Sequence, residues 1–405
     1  MPDLSFEQAI QFAQALIRIP GLPGQEGDVA ARVLAEFKTL SFDEVWSDEV
    51  GNCFALVQGR DDGHRLMLSC HLDVVDVGDA GSWQYAPFSG DIADGFLHGR
   101  GAMDIKGPLA LQTYAAAQFL ADRPAGDIIV AHTVLEERGG WGMEYLLNAG
   151  HVKPDVVIIG EATAGDICVG HRGRAELIVE IQGVAGHASA PQRARNPIDV
   201  LPLVLPAIHE FATTEQRSAP LLGSATMAPT ALETLPRSRN VIPDRVRIVL
   251  DWRVIPGSSA EELKETLDAF LRQRVQLPEG WSFSVVYSVE PQRTYTGRTR
   301  DRRMFTPGFL MSEDDPMVQT AVAVIAQHTG RRPAVRPWTF ATDGGYSCGV
   351  HGIPTLGFAP GEERFAHTNR ERLELSSARV AYHAYPHLIR ALQAVPPRTG
   401  FNFFT

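Results

Sequence analysis

The stretch Leu66-Met67-Leu68-Ser69-Cys70-His71-Leu72-Asp73 decides how this chain folds, because a short apolar run stops at a histidine and an aspartate. A continuous run of this length reads as a strand buried on both faces of an α/β sheet. Ile128-Ile129-Val130 through Val134-Leu135 repeats the pattern and stops at Glu136-Glu137. Val156-Val157-Ile158-Ile159 stops, after one glycine, at Glu161, and 353–358 is a fourth candidate with His367 a short loop beyond. Helical patterns alternate with these runs. Ser5 and Gln8 form a capping-box pair that opens a helix ended by Ile19-Pro20-Gly21, 106–121 and 142–147 carry helical spacing, and Pro316 opens a helix that Gly330 closes. This alternation predicts an α/β fold: a mixed sheet with helices on both faces.

From about Arg174 the texture changes. Residues 175–181 and 245–254 read as strands, 196–211 as a helix, Ser259-Ala260-Glu261-Glu262 as the cap of a helix ending near Arg274, and 281–289 as a last strand. The β-α-β-β-α-β-like order predicts a small α+β, ferredoxin-like insert over 174–295, which splits the first domain into 1–173 and 296–405. The basic segment 298–309 reads as a solvated linker.

Composition narrows the function classes. A chain of 405 residues exceeds one ordinary core, and a net charge of -11 argues against nucleic acid and anionic membrane surfaces. The four cysteines, Cys53, Cys70, Cys168 and Cys348, form no C-x-x-C pair and point to a reducing, cytoplasmic compartment. The N-terminal residues lack the basic and apolar regions of a signal peptide, and no apolar run approaches membrane-spanning length.

The acids and histidines gather at strand ends, where open α/β sheets bind ligands. Asp104, inside Gly99-Arg100-Gly101-Ala102-Met103-Asp104-Ile105-Lys106-Gly107, precedes a helix and can face the same crevice. Adjacent carboxylates at Glu136-Glu137, directly after a buried strand, need counter-charge or metal. Two histidines with several carboxylates suit zinc, cobalt or manganese. His64, His98, His132 and His151 read as structural. Gly99-Arg100-Gly101 is only a fragment of a dinucleotide fingerprint, so nucleotide binding is rejected. A silent scaffold of the same fold is disfavoured, because no ligand and no acid is missing.

In this order the residues resemble the dinuclear zinc hydrolases that include acetylornithine deacetylase, succinyl-diaminopimelate desuccinylase, aminoacylase and carboxypeptidase G. The motifs are SCHLDVV (69–75), GRGAMDIKG (99–107), LEERGG (135–140), IGEAT (159–163) and GFAPGEERFAHTNRE (357–371), and inside the insert GHASAP (186–191) and NVIP (240–243). The resemblance implies that His71 binds one metal ion, His367 the other, that Asp104 bridges them, and that Glu137 and Glu161 each complete one shell. It implies a hydrogen bond from His71 to Asp73, a cis peptide after Asp104, and Glu136 as general base and acid. It further implies that His187 reaches a neighbouring subunit's site in a homodimer, and that Asn240 and Arg253 recognise substrate. Glu at 161, where peptidase relatives tend to carry Asp, tilts the expected substrate towards an N-acyl amino acid. A carboxypeptidase or dipeptidase acting on short peptides is the alternative. The segment Thr342-Asp343-Gly344-Gly345-Tyr346 matches a substrate-binding loop in which desuccinylase-like relatives carry a basic residue where Gly345 stands here.

Overall fold

In the computed structural model, which describes residues 4–60, 63–150, 152–214 and 217–396, the run beginning at Leu66 is the strand Leu66–His71, buried at every position. It lies between Ile128–Thr133 and Val156–Ile159, parallel to both. Thr355–Gly357 continues the parallel set beside Val156–Ile159. Strands buried on both faces cannot alternate polar and apolar side chains, which is why these segments read as continuous apolar runs. The whole eight-stranded sheet runs 44–47, 53–57, 128–133, 66–71, 156–159, 355–357, 167–168, 335–336. Its first two strands are antiparallel, so the sheet is mixed. Parallel strands end at one edge of a sheet, and this sets His71, the Glu136–Glu137 pair and Glu161 side by side.

Helices pack against this sheet. Both halves of the capping box form at Ser5 and Gln8, and they open the helix Phe6–Ile17. Lys106–Ala117 is buried at every residue because it packs against the strand Leu66–His71 and the helices Phe6–Ile17 and Leu375–Gln393. Asp315 caps the helix Pro316–Thr329, and Gly330 closes it in the left-handed conformation. The apolar cores leave no described helix long and apolar enough to cross a membrane. All four cysteines are free and buried. His151 and the first three residues, which carried readings above, lie outside the described residues.

The chain divides into two compact units, the first of residues 1–171, 292–300 and 310–405, the second of 172–291 and 301–309. The second is an antiparallel sheet in the order 226–235, 245–254, 173–182, 282–287. Gly173–Gln182 and Arg245–Val254 bury every second residue. The inward set packs with the helices Leu201–Thr214 and Ala260–Arg274 around Trp252, whose ring meets Phe211 edge-on at 5.2 Å. The outward set is charged and self-paired: Arg247 with Glu180, and Arg174 and Arg253 both with Asp251.

Three expectations need correction. The sequence reading names only one strand of the middle pair; its partner is Thr226–Leu235, a mostly exposed strand containing Pro229 and a register shift. An edge strand tolerates proline and needs no apolar stripe, so its signal is weak. The expected insert boundary at 295 also shifts, since 292–300 belong to the first unit while 301–309 return to the second. Finally, the basic segment 298–309 is no linker: Val289–Arg293 and Thr299–Arg303 pair as a hairpin whose tip carries Tyr295.

Candidate active site

The strand-end residues converge. His71 Nε2 lies 3.2 Å from Oδ1 of Asp104 and 3.3 Å from Oε1 of Glu161. The other oxygen of Asp104 lies 3.3 Å from Nε2 of His367, and Glu137 lies 3.1 Å from the same nitrogen. Asp104 therefore turns one oxygen to each imidazole, the disposition of a carboxylate between two cation positions. Potential ligand atoms of His71, Asp104 and Glu137 fall within 4.8 Å of one another, and so do those of His71, Glu136 and Glu161. The peptide Asp104–Ile105 is cis.

The electrostatics call for positive charge. Burial pushes Glu136 well above the usual carboxylate range and also raises Glu137, while burial and the Asp104 charge push Glu161 up to about 7. Burial alone would lower His71, but the carboxylates of Asp104, Asp73 and Glu161 around it overcome this and hold the imidazole well above its usual value. Hydrogen bonds to Asp104 and Glu137 push His367 up to about 10. Burial would raise Asp104, yet its bonds to His367 and His71 draw it below the ordinary range. Without metal, protons must supply the neutralising charge that divalent ions could supply instead. This donor set of imidazole nitrogen and carboxylate oxygen fits borderline divalent ions.

Buried hydrogen bonds hold the ligands. Nδ1 of His71 meets the main-chain carbonyl of Asp73 at 2.9 Å. A carbonyl only accepts, so the proton sits on Nδ1 and Nε2 is left to ligate. The Asp73 carboxylate lies farther off, 3.6 Å from Nδ1. Its oxygens instead accept from the amides of Glu136 (3.1 Å) and Glu137 (3.0 Å), so one acid orients both glutamates. Buried Glu26 accepts from the amide of Leu135, a non-glycine residue held at positive φ. Gln292 donates to the carbonyl of Arg138 at 2.6 Å, and its own oxygen accepts from Arg300, which also pairs with Glu144. The loop closes at Gly140 with φ 76°, where a Cβ would stand 2.7 Å from Oδ1 of Asp343. Asp343 accepts from Thr133 at 2.8 Å, and burial pushes it up to about 6. On the far side, Glu371 binds Arg100 at 2.5 Å and accepts from the amide of Asp104 at 3.2 Å.

Glu26, Gln292 and Glu371 escaped the sequence reading. Glu371 stood inside a quoted motif, and its acidic character there was the only signal; Glu26 and Gln292 carried none. The loop at Thr342–Tyr346 is buried through Asp343, Gly345 and Tyr346, with Tyr346 donating to the carbonyl of Gly139.

The remaining candidates lie in the second unit. His187 and Asn240 are brought together on a small ribbon: His187 pairs with Val241, and the amide of Ala188 donates to the carbonyl of Asn240. Both side chains are exposed. His187 accepts from the amide of Ser189 at 3.1 Å. Arg253 sits on the charged face of the sheet, 2.7 Å from Asp251.

A family model described as Peptidase family M20/M25/M40 matches residues 67–391. The chain belongs to that family. Within it, a succinyl-diaminopimelate desuccinylase of Methylorubrum populi is 30% identical over 365 residues, covering 85% of this chain and 87% of the relative. A protein named YgeY, described as uncharacterized, from Escherichia coli K12 is 29% identical over 371 residues, 89% of each chain. The M20 family metallo-carboxypeptidase Sso-CP2 of Sulfolobus solfataricus superposes with a TM-score of 0.72 at 17% identity, covering 97% of this chain and 100% of that one, and so shares the fold. The chain is thus a metal-dependent hydrolase of amide or peptide bonds, and residues that could hold metal ions gather at the carboxyl ends of its parallel strands.

Proposed function

We propose that the protein hydrolyses the amide bond of an N-acyl amino acid, in the manner of an acetylornithine deacetylase, with two zinc ions at His71, Asp104, Glu137, Glu161 and His367. Cobalt or manganese suits the same donors. Two such ions, when bound, acidify a water and polarise the scissile carbonyl. One observation carries the reading. Asp73 holds the amides of both adjacent glutamates, Glu137 is turned to His367, and Glu136 is left beside His71 and Glu161.

Glu136 then takes the proton from the attacking water and returns it to the departing nitrogen. An amine is a poor leaving group unless protonated, so the reaction needs one carboxyl that can hold a proton transiently. The upward shift of Glu136 on burial suits that role. His71 and His367 would each hold one ion, Asp104 would serve both, and Glu137 and Glu161 would each complete one ion's ligand set.

His187 supplies a donor to the developing oxyanion from a neighbouring subunit, and Asn240 and Arg253 bind the amino-acid portion. An exposed imidazole anchored only by its own turn is suited to a site that another surface completes. A homodimer is supported by the long edge strand Thr226–Leu235 with exposed Leu232, and by exposed Leu203 and Leu205 on the adjacent helix. The N-acyl reading is favoured by Glu161 and by the desuccinylase relatives. Four free, buried thiols suit the cytoplasm.

The test is amine release from N-acetyl amino acids, N-succinyl amino acids and dipeptides, with zinc- or cobalt-loaded protein and a chelated control. Chelator-sensitive cleavage of an N-acyl class is expected. Cleavage confined to dipeptides would replace this reading with a dipeptidase, and cleavage of none by metal-loaded protein would remove it.

A further inference from the structure

A cleft of about 490 Å³ in the first unit is lined by Trp83, Tyr85, His98, Phe365, Arg370 and Arg372. None of these side chains has a part in the hydrolytic reading. Two of them are arginines, and their counter-charge is missing. Arg370 is exposed and has no carboxylate within ion-pair distance among the described residues. Arg372 has its guanidinium carbon 4.3 Å from the centre of the Phe96 ring and 5.0 Å from that of Phe365. Those rings attract the cation but accept no ordinary hydrogen bond, and its buried Nε has no partner.

The carboxylate nearest at hand cannot neutralise them. Glu371 also lines the cleft, but it is bound to Arg100 and to the amides of Met103 and Asp104. His98 is buried, its ring 4.2 Å from that of Tyr85, and burial with the neighbouring Arg372 holds it below its usual pKa, so it adds a neutral polar edge. Two uncompensated guanidinium groups beside aromatic walls, in a chain of net charge -11, describe a receptor for an anion.

We propose that this cleft binds a small organic oxyanion, its carboxylate, sulfonate or phosphate group received by Arg370 and Arg372 and its apolar body lying along Trp83 and Tyr85. The inference rests on the cleft and stands apart from the amide-hydrolysis reading. The anion is either an acidic end of the substrate or a separate effector; both present the same chemistry. Glu371, which lines the cleft and holds the amide of Asp104, gives an occupant a route to the metal cluster.

Benzenesulfonate is the probe, because it carries an oxyanion on an aromatic body and ligates metal weakly. Its binding to the metal-loaded full chain is measured by titration calorimetry, beside Arg370→Ala, Arg370→Glu and Arg372→Lys. Saturable binding is expected, weakened at least tenfold in Arg370→Ala and abolished in Arg370→Glu, with metal content unchanged. Arg370 is exposed, so these variants keep the fold even if Arg372→Lys disturbs the packing on Phe96 and Phe365. No saturable binding to the unaltered protein, or equal binding by both Arg370 variants, overturns the proposal. An N-succinyl amino acid that displaces the probe from Glu136→Ala protein supports the site as a substrate subsite. Binding without displacement supports it as an effector site.

Discussion

The candidate metal site and the His187–Asn240 ribbon offer chemistry in opposite ways. The candidate ligands come from several separated segments of one unit; His71, Asp104 and Glu161 are buried, Glu137 is half-buried with its amide held by Asp73, and His367 is exposed. The ribbon is two pairs of residues with exposed side chains, and the histidine leans only on its own turn. Buried charges need partners at once, because they have been taken out of water. An exposed histidine has no such demand.

Five experiments test this contrast. Glu136→Ala should lower kcat about 10³–10⁴-fold while metal analysis finds both ions retained, since general acid–base catalysis supplies gains of that order. Near-normal turnover would remove the proton shuttle. His187→Ala should cost about 10²–10³-fold, as for loss of one oxyanion donor. Mixing it with Glu136→Ala protein and reannealing should restore activity if the histidine acts across a dimer; no recovery would place its action, if any, within one chain.

Asp73→Asn should weaken metal affinity or turnover about 10–100-fold, the usual cost of removing a group that orients ligands. The readout is competition with a chelator. The pH dependence comes next. The metal-free protein holds a proton on His367 up to about pH 10, and metal binds only the free imidazole, so uptake at pH 7 must release protons. Affinity should rise about tenfold per pH unit for each proton displaced. Calorimetry in buffers of different ionisation heat measures the number, and zero would contradict the electrostatics. The same shift has a stability consequence. A raised histidine pKa favours the folded metal-free protein below pH 6.5, and that contribution is lost as pH rises through about 10. The smallest effect is expected for Gln292→Ala, a loss of about tenfold or less in kcat with little change in KM. It leaves every candidate ligand in place and removes the hydrogen bonds to the carbonyl of Arg138 and from Arg300.

Much of the first unit was legible because burial leaves a local mark. The continuous apolar runs at 66–71, 128–133 and 156–159 became the buried parallel strands, and the acids that follow them became neighbours. The capping boxes at Ser5 and Ser259 both form. In the second unit, the strand read at 245–254 forms over those same residues. The strand at Thr226–Leu235 was invisible because an exposed edge asks little of its side chains.

The candidate metal-binding residues, their order and the strand ends on which they stand were legible locally, since apolar periodicity and residue chemistry are properties of short segments. Only the tertiary structure decided how those residues are held. Glu26 reaches Leu135 across 109 residues, Gln292 reaches Arg138 across 154, and Glu371 reaches Asp104 across 267. Partners so distant leave no pattern in either segment. A buried backbone amide or carbonyl must find a partner, but the chain's local sequence does not say where that partner comes from.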